Sequence, residues 1–162
     1  MKPSHRLLRA GLTTGITDGL FATVLSVFFY SSTATRLFQG VASTVLGKGA
    51  LEGGTRTALI GVLMHFGVAF AWSAIFLLLY RGSSWLRRVT ASWGGIAAVA
   101  LVYGPLIWLI MSFLVIPLLL HRPPTINTRW WIQFIGHFPF VGLPIVSCIA
   151  RGAPDRFGLR RP

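Results

Sequence analysis

Residues 57–80 read TALIGVLMHFGVAFAWSAIFLLLY, with no Asp, Glu, Lys or Arg among them. About 20 predominantly apolar residues suffice to cross a bilayer core as helix, so this stretch reads as a transmembrane span. Working outward from it, three more stretches qualify, at about residues 10–30, 94–120 and 129–150. The sequence therefore predicts an all-α polytopic membrane protein, a single four-helix domain over residues 1–162.

Composition agrees. The chain is 54% hydrophobic and only 11% charged, with a mean hydropathy of +0.69, where a soluble domain carries about 25% charged residues. That much apolar surface has to be covered by protein or lipid, which excludes a disordered chain. A lone Cys148 excludes a disulfide scaffold. The 15 Lys and Arg stand against 3 Asp and Glu, for a formal charge of +12. All of these cations lie between the spans or at their ends. A nucleic-acid binder would instead cluster them on one face of a recognition element, so no nucleic-acid partner is expected. The partner implied is the bilayer, with its anionic lipid headgroups.

Lys2, Arg6, Arg9, Arg81, Arg87, Arg88, Arg151, Arg156, Arg160 and Arg161 flank the spans on one side, against Arg36, Lys48, Arg56, Arg122 and Arg129 on the other. An excess of cations marks the cytoplasmic side. Both termini are therefore expected in the cytoplasm, with a basic tail over residues 151–162. A basic flank, an apolar run and Ser32-Thr33-Ala34 together suggest a secretory signal. Asp18 interrupts that run, and an uncleaved first helix is expected.

Between the first two spans, Leu37, Phe38, Val41, Ala42, Val45 and Leu46 recur at helical spacing, with Gln39, Ser43, Thr44 and Lys48 on the other side. A short helix over residues 35–47, lying in the outer interface and ended by Gly47, is expected. Gly47, Gly49, Gly53 and Gly54 read as a mobile segment after it. Beyond the third span His121-Arg122-Pro123-Pro124 is stiff, and Asn127 or Thr128 is placed to cap the last helix. Trp72 and Trp108 lie inside spans and read as lipid-facing or packing bulk.

Helices in lipid associate through small residues. Gly11, Gly15 and Gly19 recur every four residues in the first span, so another span or a second copy of the chain packs there. In the second span Ala58, Gly61, His65, Ala69 and Ser73 share a stripe; in the fourth, Gln133, His137, Pro144 and Cys148 do. Three ionisable residues, Asp18, His65 and His137, thus fall within the membrane and face the bundle. At 1.5 Å per residue both histidines lie about 12 Å below the outer surface, with Asp18 about one helical turn deeper. Pro105, Pro117, Pro139 and Pro144 each free the carbonyl four residues earlier, offering His137 an acceptor.

This polar layer admits three readings: a static pair fixing helix register, a proton relay, or a bis-imidazole haem b ligated by His65 and His137. No other metal site is expected, and no hydrolase or metalloprotease motif occurs. With so few carboxylates, acid and base catalysis has few players, and the chain reads as a non-enzyme.

Several local patterns occur together: Gly15-Ile16-Thr17-Asp18, the run Leu37 to Ser43, Gly61 to Phe66, Gly136-His137 and Val141 to Ile145. Over about residues 11–150 the chain resembles, through them, an uncharacterised family of small bacterial four-span inner-membrane proteins. It is more loosely similar to inner-membrane proteins linked to acid resistance. The resemblance implies the four-span topology and keeps Asp18, Gln39 to Ser43, His65 and His137; the sequence departs from it at Pro117-Leu118-Leu119 and in the tail. Together these readings predict a structural, accessory or envelope-homeostasis protein of the bacterial inner membrane, possible as a homo-oligomer or complex subunit. A small proton-coupled transporter or channel using Asp18, His65 and His137 is the alternative.

Overall fold

A computed structural model describes residues 2–121 and 123–151. The described residues form helices and turns with no strand. Four helices are long and apolar enough to cross a membrane: α1 (Pro3–Phe29), α3 (Gly54–Gly82), α5 (Trp93–Leu120) and α6 (Thr128–Arg151). Two shorter helices complete the fold, α2 (Ala34–Leu46) between α1 and α3, and α4 (Ser84–Val89) between α3 and α5. The chain is thus an all-α four-helix bundle of membrane type.

Hydroxyl and amide side chains start four of these helices. Thr33, Ser83, Ser92 and Asn127 accept from the backbone N–H groups of Arg36, Leu86, Gly95 and Trp130, each filling one of the orphan donors of a first turn. Asn127 is thus the cap of α6. At the end of α2, Gly47 takes a φ of +77°, a conformation that suits glycine alone.

Single π-turns break α1 at Leu25–Phe29, α5 at Met111–Val115 and α6 at Phe138–Gly142. The second lies just before Pro117, and the third contains Pro139 and precedes Pro144. A proline cannot return its own N–H to the carbonyl four residues back, and the backbone widens locally to accommodate the loss.

The best-buried side chains, Phe76, Ile96, Ile145, Val146 and Ile149, gather at the end of the bundle where Pro3 and Arg151 lie. The helix α6 is the central one, 44% of its most apolar stretch being buried against 22–28% in the others. On the outer faces of the helices Leu63, Leu78, Val102, Phe28 and Ile135 stand exposed. A rim of large apolar side chains on this scale is what a lipid solvent permits and water does not.

The structure adds to three expectations. The first helix extends back to Pro3, ahead of the expected span, and Arg6, expected among the flanking cations, is only 8% exposed. Its Nη1 donates to the carbonyl of Ile149 at 3.2 Å, and its guanidinium carbon lies 6.0 Å from the Tyr80 ring centre. The antiparallel packing of α1 on α6 sets the basic first turn of one helix on a carbonyl in the last described turn of the other. Second, Gln39 is turned inward, where its Nε2 donates to the Gly54 carbonyl at 3.1 Å. Gln39 therefore serves the start of α3, while Ser43 and Thr44 donate to the Gly40 and Val41 carbonyls of their own helix. Third, the glycine-rich segment contains a 3-10 turn, Lys48–Glu52, with Thr57 Oγ1 donating to the Ala50 carbonyl at 2.7 Å and Arg36 Nη1 to that of Leu51 at 2.8 Å. The basic tail expected beyond Arg151, and Arg122, lie outside the described residues.

Candidate functional site

The glycine ladder of α1 builds the site. A Cβ on Gly11 would strike the ring of Phe70, and one on Gly15 the ring of Phe66. A Cβ on Gly19 would lie 3.2 Å from His65 Nε2. Rings from α3 thus occupy the grooves that the missing side chains leave, and the face is filled from within the chain. The same device brings α2 onto α3, where a Cβ on Gly61 would collide with the backbone carbonyl of Phe38. Ala58, Gly61, Ala69 and Ser73 are buried along that face of α3, in the expected stripe.

Close approach places His65 against the backbone of α1. Its Nε2 lies 2.9 Å from the Gly15 carbonyl, and its Nδ1 lies 4.0 Å from Asp18 Oδ2. A carbonyl can only accept, so Nε2 carries the proton in this contact, and Nδ1 faces the carboxylate. The two side chains are 15% and 21% exposed, so the pair sits inside the apolar stretch without being sealed. Phe38 and Phe66 meet the imidazole edge-on, with ring centres 5.9 and 5.8 Å away.

His137 occupies a different seam. It is 7% exposed, its Nδ1 lies 2.7 Å from the Gln133 carbonyl, and its ring centre is 4.9 Å from that of Trp108 on α5. Gln133 is in its own helix and is not one of the carbonyls released by proline, so the acceptor foreseen for His137 is a different one. The prolines act elsewhere. Pro144 leaves the Phe140 carbonyl without its usual partner, and Thr17 Oγ1 of α1 stands 2.7 Å from it. Phe21 stacks on Phe140 with ring centres 4.4 Å apart, and a Cβ on Gly136 would collide with Phe21.

The three ionisable residues therefore do not form one contiguous cluster. Asp18 and His65 meet between α1 and α3. His137 hydrogen-bonds the Gln133 carbonyl of α6 and has its ring contact with Trp108 of α5. A bis-imidazole haem needs an open nitrogen on each histidine pointing at one iron. In this arrangement Nε2 of His65 is taken by the Gly15 carbonyl, and Nδ1 lies 4.0 Å from Asp18 Oδ2. Among the described residues, no three His, Cys, Asp or Glu side chains gather as a metal would need.

Sequence reasoning missed Thr17, whose signal was available in the pairing of a small hydroxyl with a proline-released carbonyl. It also missed the contact made by Trp108, whose ring meets His137 and whose Nε1 is buried with no hydrogen-bond partner among the described residues, as are Ser112 Oγ and Trp130 Nε1. Trp72 and Trp108 serve as packing bulk; the Trp72 carbonyl accepts from Tyr103 Oη at 2.8 Å. Comparison of the chain with protein-family models, with curated proteins and with solved structures gives no match.

Proposed function

We propose that the chain is a non-enzymatic protein of the bacterial inner membrane, a structural or accessory component of the envelope, with both termini in the cytoplasm. The contact of His65 with Asp18 and the Gly15 carbonyl carries this reading. It acts as a clamp: the imidazole hydrogen-bonds the backbone of α1 through one nitrogen and has the Asp18 carboxylate 4.0 Å from the other, which favours one rotation and height of α1 against α3. A polar contact within an apolar bundle specifies register because any other register leaves its groups unpaired. The orientation is supported by the excess of Lys and Arg at the end carrying the termini. Reporter fusions at the C-terminus test it, with a cytoplasmic fluorescent reporter active and a periplasmic phosphatase silent.

Asp18→Asn tests the clamp. The variant is expected to lose about 1–2 kcal/mol of stability in detergent, between the values of exposed and fully buried pairs. Proton flux in reconstituted vesicles is expected to be the same as wild type. The partial exposure of Asp18 and His65 favours one other reading, a small proton-coupled transporter or channel in which Asp18, His65 and His137 relay protons. Flux present in wild-type vesicles and abolished in Asp18→Asn, with stability unchanged, selects the relay instead.

A further inference from the structure

At the end of the bundle where Pro3 and Arg151 lie, α3 stops at Gly82 and the chain turns through Ser83 into α4. Ile75, Leu78, Leu79 and Gly82 recur at helical spacing on one face of α3, and with Ser83 they line an open groove of about 440 Å³. This is the size of clefts that take small ligands, about 300–1,000 Å³. Its lining is almost wholly apolar, and Ile75, Leu78 and Leu79 are 41%, 68% and 52% exposed.

Three exposed arginines, Arg81, Arg87 and Arg88, follow within the next few residues. Arg87 is held: its Nη1 donates to the carbonyls of Tyr80 at 3.1 Å and Arg81 at 2.7 Å, which pins the guanidinium on the carbonyl end of α3. Beside them Trp85 is 61% exposed on α4, the placement an indole takes at headgroup level. The acids among the described residues are Asp18, inside α1, and Glu52, at the opposite end of the bundle. No described carboxylate therefore stands at this end to neutralise the arginines.

We propose that this elbow is a binding site for a phospholipid with an anionic headgroup, one acyl chain lying in the groove and the phosphate and headgroup on Arg81, Arg87 and Arg88. Ile75 precedes Arg81 by about 9 Å along the helix axis, so the groove runs from the cations toward the hydrocarbon core in the direction an acyl chain takes. A second copy of the chain is a poorer occupant, because a symmetric contact would set this basic elbow against its like. The proposal rests on the membrane-embedded reading of the bundle and not on its orientation.

The test uses the full chain in nanodiscs of phosphatidylcholine containing a limiting fraction of phosphatidylglycerol, the same in both leaflets. Retained lipid is counted by native mass spectrometry after release into mild detergent. Wild type is expected to retain phosphatidylglycerol preferentially, and each elbow arginine removed is expected to lower that preference about fivefold. The variant Arg81→Gln/Arg88→Gln spares the Arg87 hydrogen bonds, and Arg36→Gln/Arg56→Gln at the other end is the control. Leu78→Trp, which fills the groove from its exposed side, is expected to reduce retention with the helical circular dichroism unchanged. Equal retention in wild type and the elbow variant, or an equal loss in the control, overturns the site. Failure of wild type to enter nanodiscs as a helical protein overturns the membrane reading instead.

Discussion

At the scale of single residues, the glycines are not equivalent, and the difference lies in what each faces. Gly61 and Gly67 belong to the same helix, yet a Cβ on Gly61 would run into the Phe38 backbone whereas one on Gly67 would meet nothing within 4 Å. A backbone carbonyl cannot swing aside as a ring can. Gly61→Ala is therefore expected to cost about 1–3 kcal/mol, the range for overpacking. Gly67→Ala is expected to stabilise by about 0.5–1 kcal/mol, by removing the flexibility of a mid-helix glycine. Unfolding of both variants in the same detergent checks the opposite signs. The small-residue stripe of the second span was readable as a contact face from spacing alone. Which of its members touches backbone was not, because that depends on where Phe38 of the loop helix comes to rest.

At the scale of elements, prolines and glycines tie the helices together in pairs. Thr17 of α1 supplies to the Phe140 carbonyl the hydrogen bond that Pro144 withholds. Thr17→Val should cost about 1 kcal/mol, the net worth of such a bond. In a Pro144→Ala background the restored N–H can serve that carbonyl, so the same change should cost close to nothing. A double-mutant cycle measures the difference, and equal costs in both backgrounds would break the link. The glycine ladder of α1 makes a second test. Gly15→Leu is expected to cost about 1–3 kcal/mol by crowding Phe66, and Phe66→Ala should recover part of it. The mass measured by light scattering should not change, since the face is occupied by α3 of the same chain. The ladder itself was legible in the sequence as a packing face, with its occupant left open between another span and another copy.

At the scale of the whole molecule, burial is uneven: the densest packing lies at the end where Pro3 and Arg151 lie, around Ile145 and Phe76, while much of the rest presents apolar side chains outward. In lipid no hydrophobic penalty drives helices together, so close packing and polar contacts hold the bundle. Ile145→Ala, at a site of 0% exposure, is expected to cost about 2–4 kcal/mol through lost contacts and the space left behind. Leu63→Ala, at 73% exposure, should fall within about 0.5 kcal/mol of wild type in the same detergent. Comparable costs at the two sites would mean that the packed end does not carry the stability.

The four spans, the interfacial helix and the polar residues within the membrane followed from the sequence by itself. These are local properties: a span is a matter of length and apolar content, a helix start is set by a hydroxyl or amide beside a first turn, and an intramembrane charge is costly wherever it sits. The tertiary structure alone decided that His65 reads the backbone of Gly15 and faces Asp18 while His137 packs on Trp108. It also decided that Arg6 ends up buried on the last turn of α6 and that Gln39 turns inward. These contacts depend on the rotation and axial shift of one helix against another. That relation is a property of pairs of helices, set by which ring fills which glycine groove, and no single stretch of the chain encodes it.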